Sequence, residues 1–276
     1  MKLMVFGGQG MLGHMLVQYF QKQEGYDVYY TTRNKQDSDG LYVDARDPLL
    51  MEKVMESVSP HITINCMGIL NQFALNQPQE AYWVNGFVPH FLGRMAKKNG
   101  GKLIHISTDC VFSGLQGGHT ENDPPDGTSV YAISKALGEI TAAPHLTLRT
   151  SIVGPEIRER GIGLMHWFMQ REGEVDGYSQ AFWNGVTTLE LAKCIRHIIE
   201  NEPITGLLHV TAPKPISKFE LLGLFREVFH KKNIAIREND SVRIDRTLRN
   251  TRNDFHYSVP DYATMLHELR DWMWGH

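Results

Sequence analysis

The stretch KLMVFGGQGMLGHML, residues 2–16, decides the fold class. Residues 2–6 are a short, mostly apolar run, the pattern of a buried strand. Glycines at 7, 8, 10 and 13 then allow a tight turn, and residues 11–23 carry apolar side chains at helical spacing. Strand, glycine turn and helix in this order aim backbone N–H groups at a pyrophosphate seated on the helix N-terminus. The glycines fit two registers, Gly7-Gly10-Gly13 and Gly8-Gly10-Gly13, and both let backbone approach a dinucleotide. A lone glycine motif can also be a turn without a ligand. Its place directly after the first strand favours dinucleotide binding.

Working outward, strands and helices keep alternating. Residues 27–32 read as a second strand ending at Arg33. An acid there would accept from the ribose hydroxyls of NAD. This chain has Thr31, Thr32 and Arg33, and a guanidinium suits a 2′-phosphate, so the expected cofactor is NADP(H). A third strand, 41–43, ends at Asp44, where an acid can accept from the adenine amino group. Asp47 before Pro48 fits a helix N-cap. Strand 62–66 runs into Cys66, Met67 and Gly68, residues small or flexible enough for a cofactor to cross the strand ends. A long helix is expected over 78–99, a strand over 102–106, and another strand over 146–150. The alternation specifies an α/β fold, a Rossmann-type doubly wound parallel sheet.

The fifth strand delivers ISTDC, residues 106–110, and SVYAISKALGE, residues 129–139, follows a loop rich in Gly, Pro and acids. Spacing of four puts Tyr131 and Lys135 on one helix face, about 6 Å apart at Cβ. A nearby ammonium is expected to pull the phenol down from its ordinary value of about 10. Such a tyrosine can protonate a carbonyl oxygen while hydride reaches the carbon. The hydroxyl of Thr108 or Ser107 would hold that oxygen. Tyr-x-x-x-Lys alone is common on helix surfaces; its place after a strand beside the cofactor strand gives it weight.

Beyond Gly154-Pro155 the rhythm changes. Residues 156–163 are charged, 164–170 suggest a short helix, and 174–185 read as a loop holding Trp183 and Asn184. Helices are expected over 188–201, 217–230 and 261–272, with a strand over 206–211. The expected division is an NADP-binding domain of residues 1–155 plus about 186–211. A smaller C-terminal α/β substrate-binding lobe would use about 156–185 and 212–276.

The totals narrow the function. With 276 residues, 42% hydrophobic and 21% charged, the chain reads as an ordinary globular protein. A formal charge of −3 offers no field for nucleic acid or a membrane surface. Cys66, Cys110 and Cys194 lack metal-ligand spacing, which suggests a reduced, cytoplasmic protein with neither disulfides nor a metal site. No apolar run approaches the ~20 residues of a membrane span.

In combination, GGQGMLG (7–13), ISTDCVFSG (106–114) with YAISK (131–135) and GE (138–139), RTSIVGP (149–155) and NGVTTLELA (184–192) resemble the extended short-chain dehydrogenase/reductase family. The likeness is to its dTDP-4-dehydrorhamnose reductase-like members, which are nucleotide-sugar 4-ketoreductases. The resemblance implies an NADPH-dependent oxidoreductase of deoxysugar and cell-surface polysaccharide biosynthesis. It implies a catalytic set of Thr108, Tyr131 and Lys135, with Gly7, Gln9, Gly10, Met11 and Leu12 at the pyrophosphate. Arg33 would lie near the 2′-phosphate, Asp44 and Ala45 at adenine, and Cys66, Met67 and Gly68 along the cofactor with Tyr131 and Lys135. Substrate contacts would come from Thr108, Asp109, Cys110, Trp183 and Asn184. The family commonly dimerises, so a homodimer is within what the resemblance implies.

Three departures concern the sugar. Ile152 stands where rhamnose reductases usually have an aromatic residue, NCMGIL (65–70) where they have an alanine-rich segment with a tyrosine, and NGVT (184–187) where they have Gly-x-Pro-Thr. A dTDP- or UDP-linked 4-keto-6-deoxy sugar therefore fits equally. Sugar-nucleotide 4,6-dehydratases have Glu where this chain has Cys110, so water elimination lacks its proton carrier. An epimerase/reductase of the GDP-fucose synthase type would use Cys110 with His166. A non-catalytic NADP-binding regulatory subunit, like that of methionine adenosyltransferase, is the reading of a different class.

Overall fold

A computed structural model of the chain describes residues 1–157 and 161–275. Residues 158–160 of the charged segment 156–163 lie outside the described residues. Two compact units emerge. The first comprises Met1–Phe112, Pro124–Arg149 and Pro203–Leu208; the second comprises Ser113–Asp123, Thr150–Glu202 and His209–His276. Residues 186–202, grouped with the first domain by the sequence reading, fall in the second unit by this division.

The opening stretch folds as its pattern dictates. Strand β1 (Lys2–Phe6) is followed by helix α1 (Met11–Gln21), β2 (Asp27–Thr32), β3 (Leu41–Tyr42), α2 (Pro48–Val58) and β4 (Ile62–Asn65). Asp47 caps α2 through a 3.0 Å bond from Leu50 N, as its place before Pro48 suggests. After two short helices, α3 (Asn71–Asn76) and α4 (Pro78–Ala81), the chain runs through a π-helical turn (Tyr82–Phe87) into α5 (Val88–Lys98). Next come β5 (Lys102–Thr108), α6 (Val130–Leu137) and β6 (Leu146–Thr150). The second unit supplies β7 (Ile152–Val153), α7 (Leu164–Met169), β8 (Gly173–Tyr178), β9 (Ala181–Trp183), β10 (Val186–Thr187) and α8 (Thr188–Asn201). After β11 (Gly206–His209) it continues with β12 (Ile216–Ser217), α9 (Lys218–Val228), β13 (Ile234–Asn239), β14 (Ile244–Asp245) and α10 (Tyr262–Trp274).

Seven strands order as β11-β6-β5-β4-β1-β2-β3. The pairs β1–β2, β1–β4, β2–β3 and β4–β5 are parallel. From β1 the chain winds outward to β3 and then back past β1 to β4 and β5. The switch point therefore lies between β1 and β4, where open α/β sheets place their ligand crevice. Met4, Phe6 and Leu103 of the sheet pack with Met51 and Met55 of α2 and with Phe91, Leu92 and Met95 of α5. Full burial of each such side chain favours folding by roughly 1.5–3 kcal/mol.

Two expectations need correction. The helix expected over 78–99 is interrupted at Tyr82–Phe87. Pro89 has no N–H for the Asn85 carbonyl, and its ring would clash there. The turn widens instead, and Val88 N bonds back to Trp83 O. The segment 174–185 is not a loop: it holds β8 and β9. β8 pairs in parallel with β13, Val175 opposite Ile236, and β9 lies between β12 and β14. These partners are far away in sequence, so local periodicity does not reveal them.

Within the second unit, Phe168, Leu191, Ile195, Leu221, Phe225, Leu266 and Leu269 are buried. A capping box between Ser217 and Glu220 starts α9. No helix among the described residues is long and apolar enough to cross a membrane.

Candidate active site

In the glycine turn after β1 a Cβ on Gly8 would lie 2.6 Å from the Tyr30 ring, so Gly8 as well as Gly7 is required there. Gly7 has φ +83°, and Gly10 N bonds to Gly7 O at 2.9 Å. A Cβ on Gly13 would lie 2.0 Å from Gly7 O, so only glycine lets α1 start this close to β1. Gly10 is the N-cap of α1 and no side chain caps the helix there, which leaves first-turn N–H groups directed outward. Met11 and Leu12 open the helix, and Leu12 is buried. Gly7 N is held by Thr31 Oγ1 at 2.9 Å. Met67 adjoins Gly7: a Cβ there would meet Met67 N at 3.2 Å. The turns after β1 and β4 are thus brought together at the switch point.

The Gln9 side chain donates to Asp37 Oδ2 at 2.7 Å, and Tyr30 donates to Asp37 Oδ1 at 3.0 Å. Asp37 was not picked out by the sequence. Arg33 is exposed at the end of β2. Asp44 is gripped by Arg46, whose hydrogen bonds hold the carboxyl down to about 2, with Arg33 contributing. The Ala45 carbonyl accepts from Trp83 Nε1 at 2.8 Å.

The segment after β4 is pinned from the π-helical turn. Asn85 Oδ1 accepts from Ile69 N at 2.8 Å, and Asn85 Nδ2 donates to Ile69 O and to Ser134 Oγ, both at 3.0 Å. Gly68 lies beneath it; a Cβ there would be 3.5 Å from Asn85 Oδ1. Met67 N donates to Asn65 Oδ1 at 3.1 Å. Burial pushes the Cys66 thiol up to about 12, so it is a neutral, unreactive group.

At the end of β5 the two hydroxyls separate in role. Ser107 Oγ donates to Glu139 Oε1 at 2.6 Å. Thr108 Oγ1 accepts from Cys110 N at 3.1 Å, donates to Asp109 Oδ1 at 3.1 Å and bonds the Tyr131 hydroxyl. Ser129 caps α6 through Ala132 N at 3.0 Å and so fixes Tyr131 in the first turn. Lys135, one turn on, is buried and donates to Ile106 O at 2.7 Å.

The electrostatics here reverse one expectation. Burial pushes the Tyr131 phenol above its ordinary value; the charges of Cys110 and Asp109 add to this, and only the Thr108 bond opposes it. Lys135 Nζ, one turn along, donates to the Ile106 carbonyl. Burial pushes Lys135 itself down to about 8, against the opposing charges of Glu139 and Cys66. Tyr131 is therefore a protonated phenol at neutral pH. Its hydroxyl bonds Thr108, whose Oγ1 also donates to Asp109 Oδ1.

The other sequence candidates lie in the second unit. Trp183 is buried, its Nε1 donating to Ser151 Oγ at 2.7 Å, its ring beside Tyr262 and beneath Lys218 Nζ at 4.8 Å. Asn184 spends its amide on backbone: Nδ2 donates to Leu248 O at 2.7 Å and Oδ1 accepts from Leu248 N at 3.0 Å. It lines a pocket of about 600 Å³ with His209, Thr247, Arg249, Asn250 and Tyr257. His166, on α7, places Nε2 2.8 Å from Gln170 Nε2. Among the described residues no group of His, Cys, Asp and Glu could hold a metal ion.

A doubly wound sheet with a glycine turn after β1 and a Tyr-Lys helix after β5 defines a Rossmann-like protein of the short-chain dehydrogenase/reductase type. More narrowly, the chain belongs to the RmlD substrate-binding domain family, which matches residues 1–254. It is 28% identical over 246 residues to a dTDP-4-dehydrorhamnose reductase of Mycobacterium tuberculosis, spanning 83% of this chain and 75% of that protein. It is 25% identical over 244 residues to methionine adenosyltransferase 2 subunit beta of Danio rerio, spanning 83% and 74%. The crystal structure of a dTDP-4-dehydrorhamnose reductase from Bacillus anthracis in complex with NADP superposes with a TM-score of 0.82 at 20% identity, covering 98% of both chains.

Proposed function

We propose that this protein is an NADPH-dependent reductase of a nucleotide-linked 4-keto-6-deoxy sugar, carried on dTDP or UDP, in deoxysugar and cell-surface polysaccharide biosynthesis. The observation that carries the reading is the buried, protonated Tyr131 hydroxyl bonded to Thr108, with Lys135 one turn along the helix. The likeness to the dTDP-4-dehydrorhamnose reductases of Mycobacterium tuberculosis and Bacillus anthracis supports it. The turn between β1 and α1 fits a dinucleotide, with uncapped N–H groups and a cradle that a Cβ on Gly13 would fill. Gly7, Gln9, Gly10, Met11 and Leu12 would hold the pyrophosphate, Arg33 the 2′-phosphate, Asp44 and Ala45 the adenine end, and Cys66, Met67 and Gly68 the segment toward the nicotinamide.

When bound, NADPH supplies hydride to the sugar C4. Thr108 orients the keto oxygen, and Tyr131 Oη gives it a proton as negative charge develops there. The raised phenol keeps that proton until the oxygen becomes basic. The Lys135 ammonium then stabilises the resulting phenolate. Asp109 and Cys110 are the substrate contacts the first unit would offer beside Thr108, and Trp183 and Asn184 those the second unit would offer. Tyr131→Phe removes the donated proton and little else. The expected result is a loss of NADPH oxidation of about 100-fold or more, with NADPH affinity within a few-fold of wild type. Loss of NADPH binding would instead mark the residue as structural.

A second reading has its own support in the likeness to methionine adenosyltransferase 2 subunit beta: a non-catalytic, NADP-binding regulatory subunit. Turnover of a keto-sugar separates the two.

A further inference from the structure

Asp37 stands in the connection from β2 to β3, residues 33–40, and its carboxylate joins that loop to the glycine turn. Oδ2 accepts from Gln9 Nε2 at 2.7 Å. Oδ1 accepts from the Tyr30 hydroxyl at 3.0 Å and from the N–H groups of Gly40 at 3.1 Å and Asp39 at 3.2 Å. Burial raises this carboxyl, but the bonds from Tyr30, Asp39, Gly40 and Gln9 outweigh it and hold the group below its ordinary value. It is ionised at neutral pH, so each of these contacts is charge-assisted, the stronger class of hydrogen bond. The backbone is shaped to admit them. A Cβ on Gly40 would lie 2.9 Å from Asp37 Oδ2 and 2.8 Å from the Tyr30 ring, the same ring that closes on Gly8.

An acid near the end of β2 can serve in two ways. It can accept from the ribose hydroxyls of a dinucleotide, or it can build the site from behind. Asp37 does the second, since Oδ1 already takes three donors and Oδ2 takes the Gln9 amide. Gln9 is divided in turn. Its side chain is held by Asp37, whereas its backbone N–H meets no acceptor among the described residues. That N–H is what Gln9 can offer a pyrophosphate, beside the uncapped start of α1. A donor fixed beforehand costs less entropy on binding than one that must be ordered by the ligand.

We propose that Asp37 is a positioning residue of the dinucleotide site: by holding the Gln9 side chain it fixes the Gln9 backbone N–H for the pyrophosphate of either nicotinamide nucleotide. This deepens the cofactor part of the reading above, on which it rests, and leaves the sugar aside. Calorimetric titration with NADPH and with NADH, no sugar present, tests it in wild type, Asp37→Ala, Gln9→Ala and the double variant. Each single change is expected to weaken both nucleotides by about 10-fold. The double variant should also lose about 10-fold rather than about 100-fold, because both changes remove the same contact. Asp37→Asn should keep affinity within about three-fold, since the Gln9 amide can turn and accept from the new Nδ2. Asp37→Ser can still cap the loop N–H groups but is too short to reach Gln9. It takes the place of Asp37→Ala should that variant not fold, with the same losses expected. Loss of NADPH alone would mean that Asp37 acts through Arg33, and additive losses that it meets the cofactor directly. Either result, or unchanged affinity in a folded variant, overturns the proposal. A wild-type protein that binds neither nucleotide would defeat the cofactor reading as well, whereas equally tight binding by wild type and variants defeats this inference alone.

Discussion

Ser107 and Thr108 are neighbours of the same chemistry that the structure commits to different tasks. From the sequence either hydroxyl could hold a substrate oxygen; Ser107 is spent on Glu139, and Thr108 faces Tyr131. The sign of the tyrosine shift was also out of reach, because it depends on burial and on the neighbouring Cys110 and Asp109. Glu139 stood in the quoted GE pair, but its bonds to Arg149 and Ser107 arise only on folding. At the cofactor end, Arg33 is exposed beside the Asp44-Arg46 pair. Arg33→Ala is expected to weaken NADPH by about 10-fold or more, a charge-assisted contact of roughly 1.5–3 kcal/mol, while changing NADH little. Titration of each nucleotide against both proteins checks this, and equal effects would refute a role in selecting the 2′-phosphate.

The elements of the first unit were legible because each carries its own local signal. Residues 2–6, 27–32 and 146–150 form strands with the expected bounds, and Asp47 caps the helix after it as its place before Pro48 suggests. The π-helical turn was not legible, although Pro89 was in view, because its tolerance depends on α6 packing against Asn85. Gly138→Ala tests that packing. A Cβ on Gly138 would lie 1.9 Å from Asn85 O and cannot be accommodated, and a loss of about 2 kcal/mol or more in denaturant unfolding is expected. Gly223→Ala is the control. It lies within α9 with nothing near the added methyl, so a gain of about 0.5–1 kcal/mol is expected. Equal effects at both sites would contradict the close-approach account of Gly138.

At the scale of the whole molecule, the sheet order follows from strands alternating with helices and from a glycine turn at the first switch. The second unit was harder to read. Its strands are short and pair across long sequence separations, as β8 does with β13, and two of them occupy what looked like a loop. Trp183 and Asn184, expected from the resemblance to face the nucleotide-sugar, are buried in that unit with their polar atoms on Ser151 and Leu248. Measurement therefore begins with the sugar. NADPH oxidation followed at 340 nm, with dTDP-, UDP- and GDP-linked 4-keto-6-deoxy sugars offered in turn and the product examined by NMR, tests the central claim most directly. The account predicts oxidation with a dTDP- or UDP-linked sugar and a product reduced at C4 with its other centres unchanged. Tight NADPH binding without reduction of any sugar would contradict it and favour the regulatory subunit.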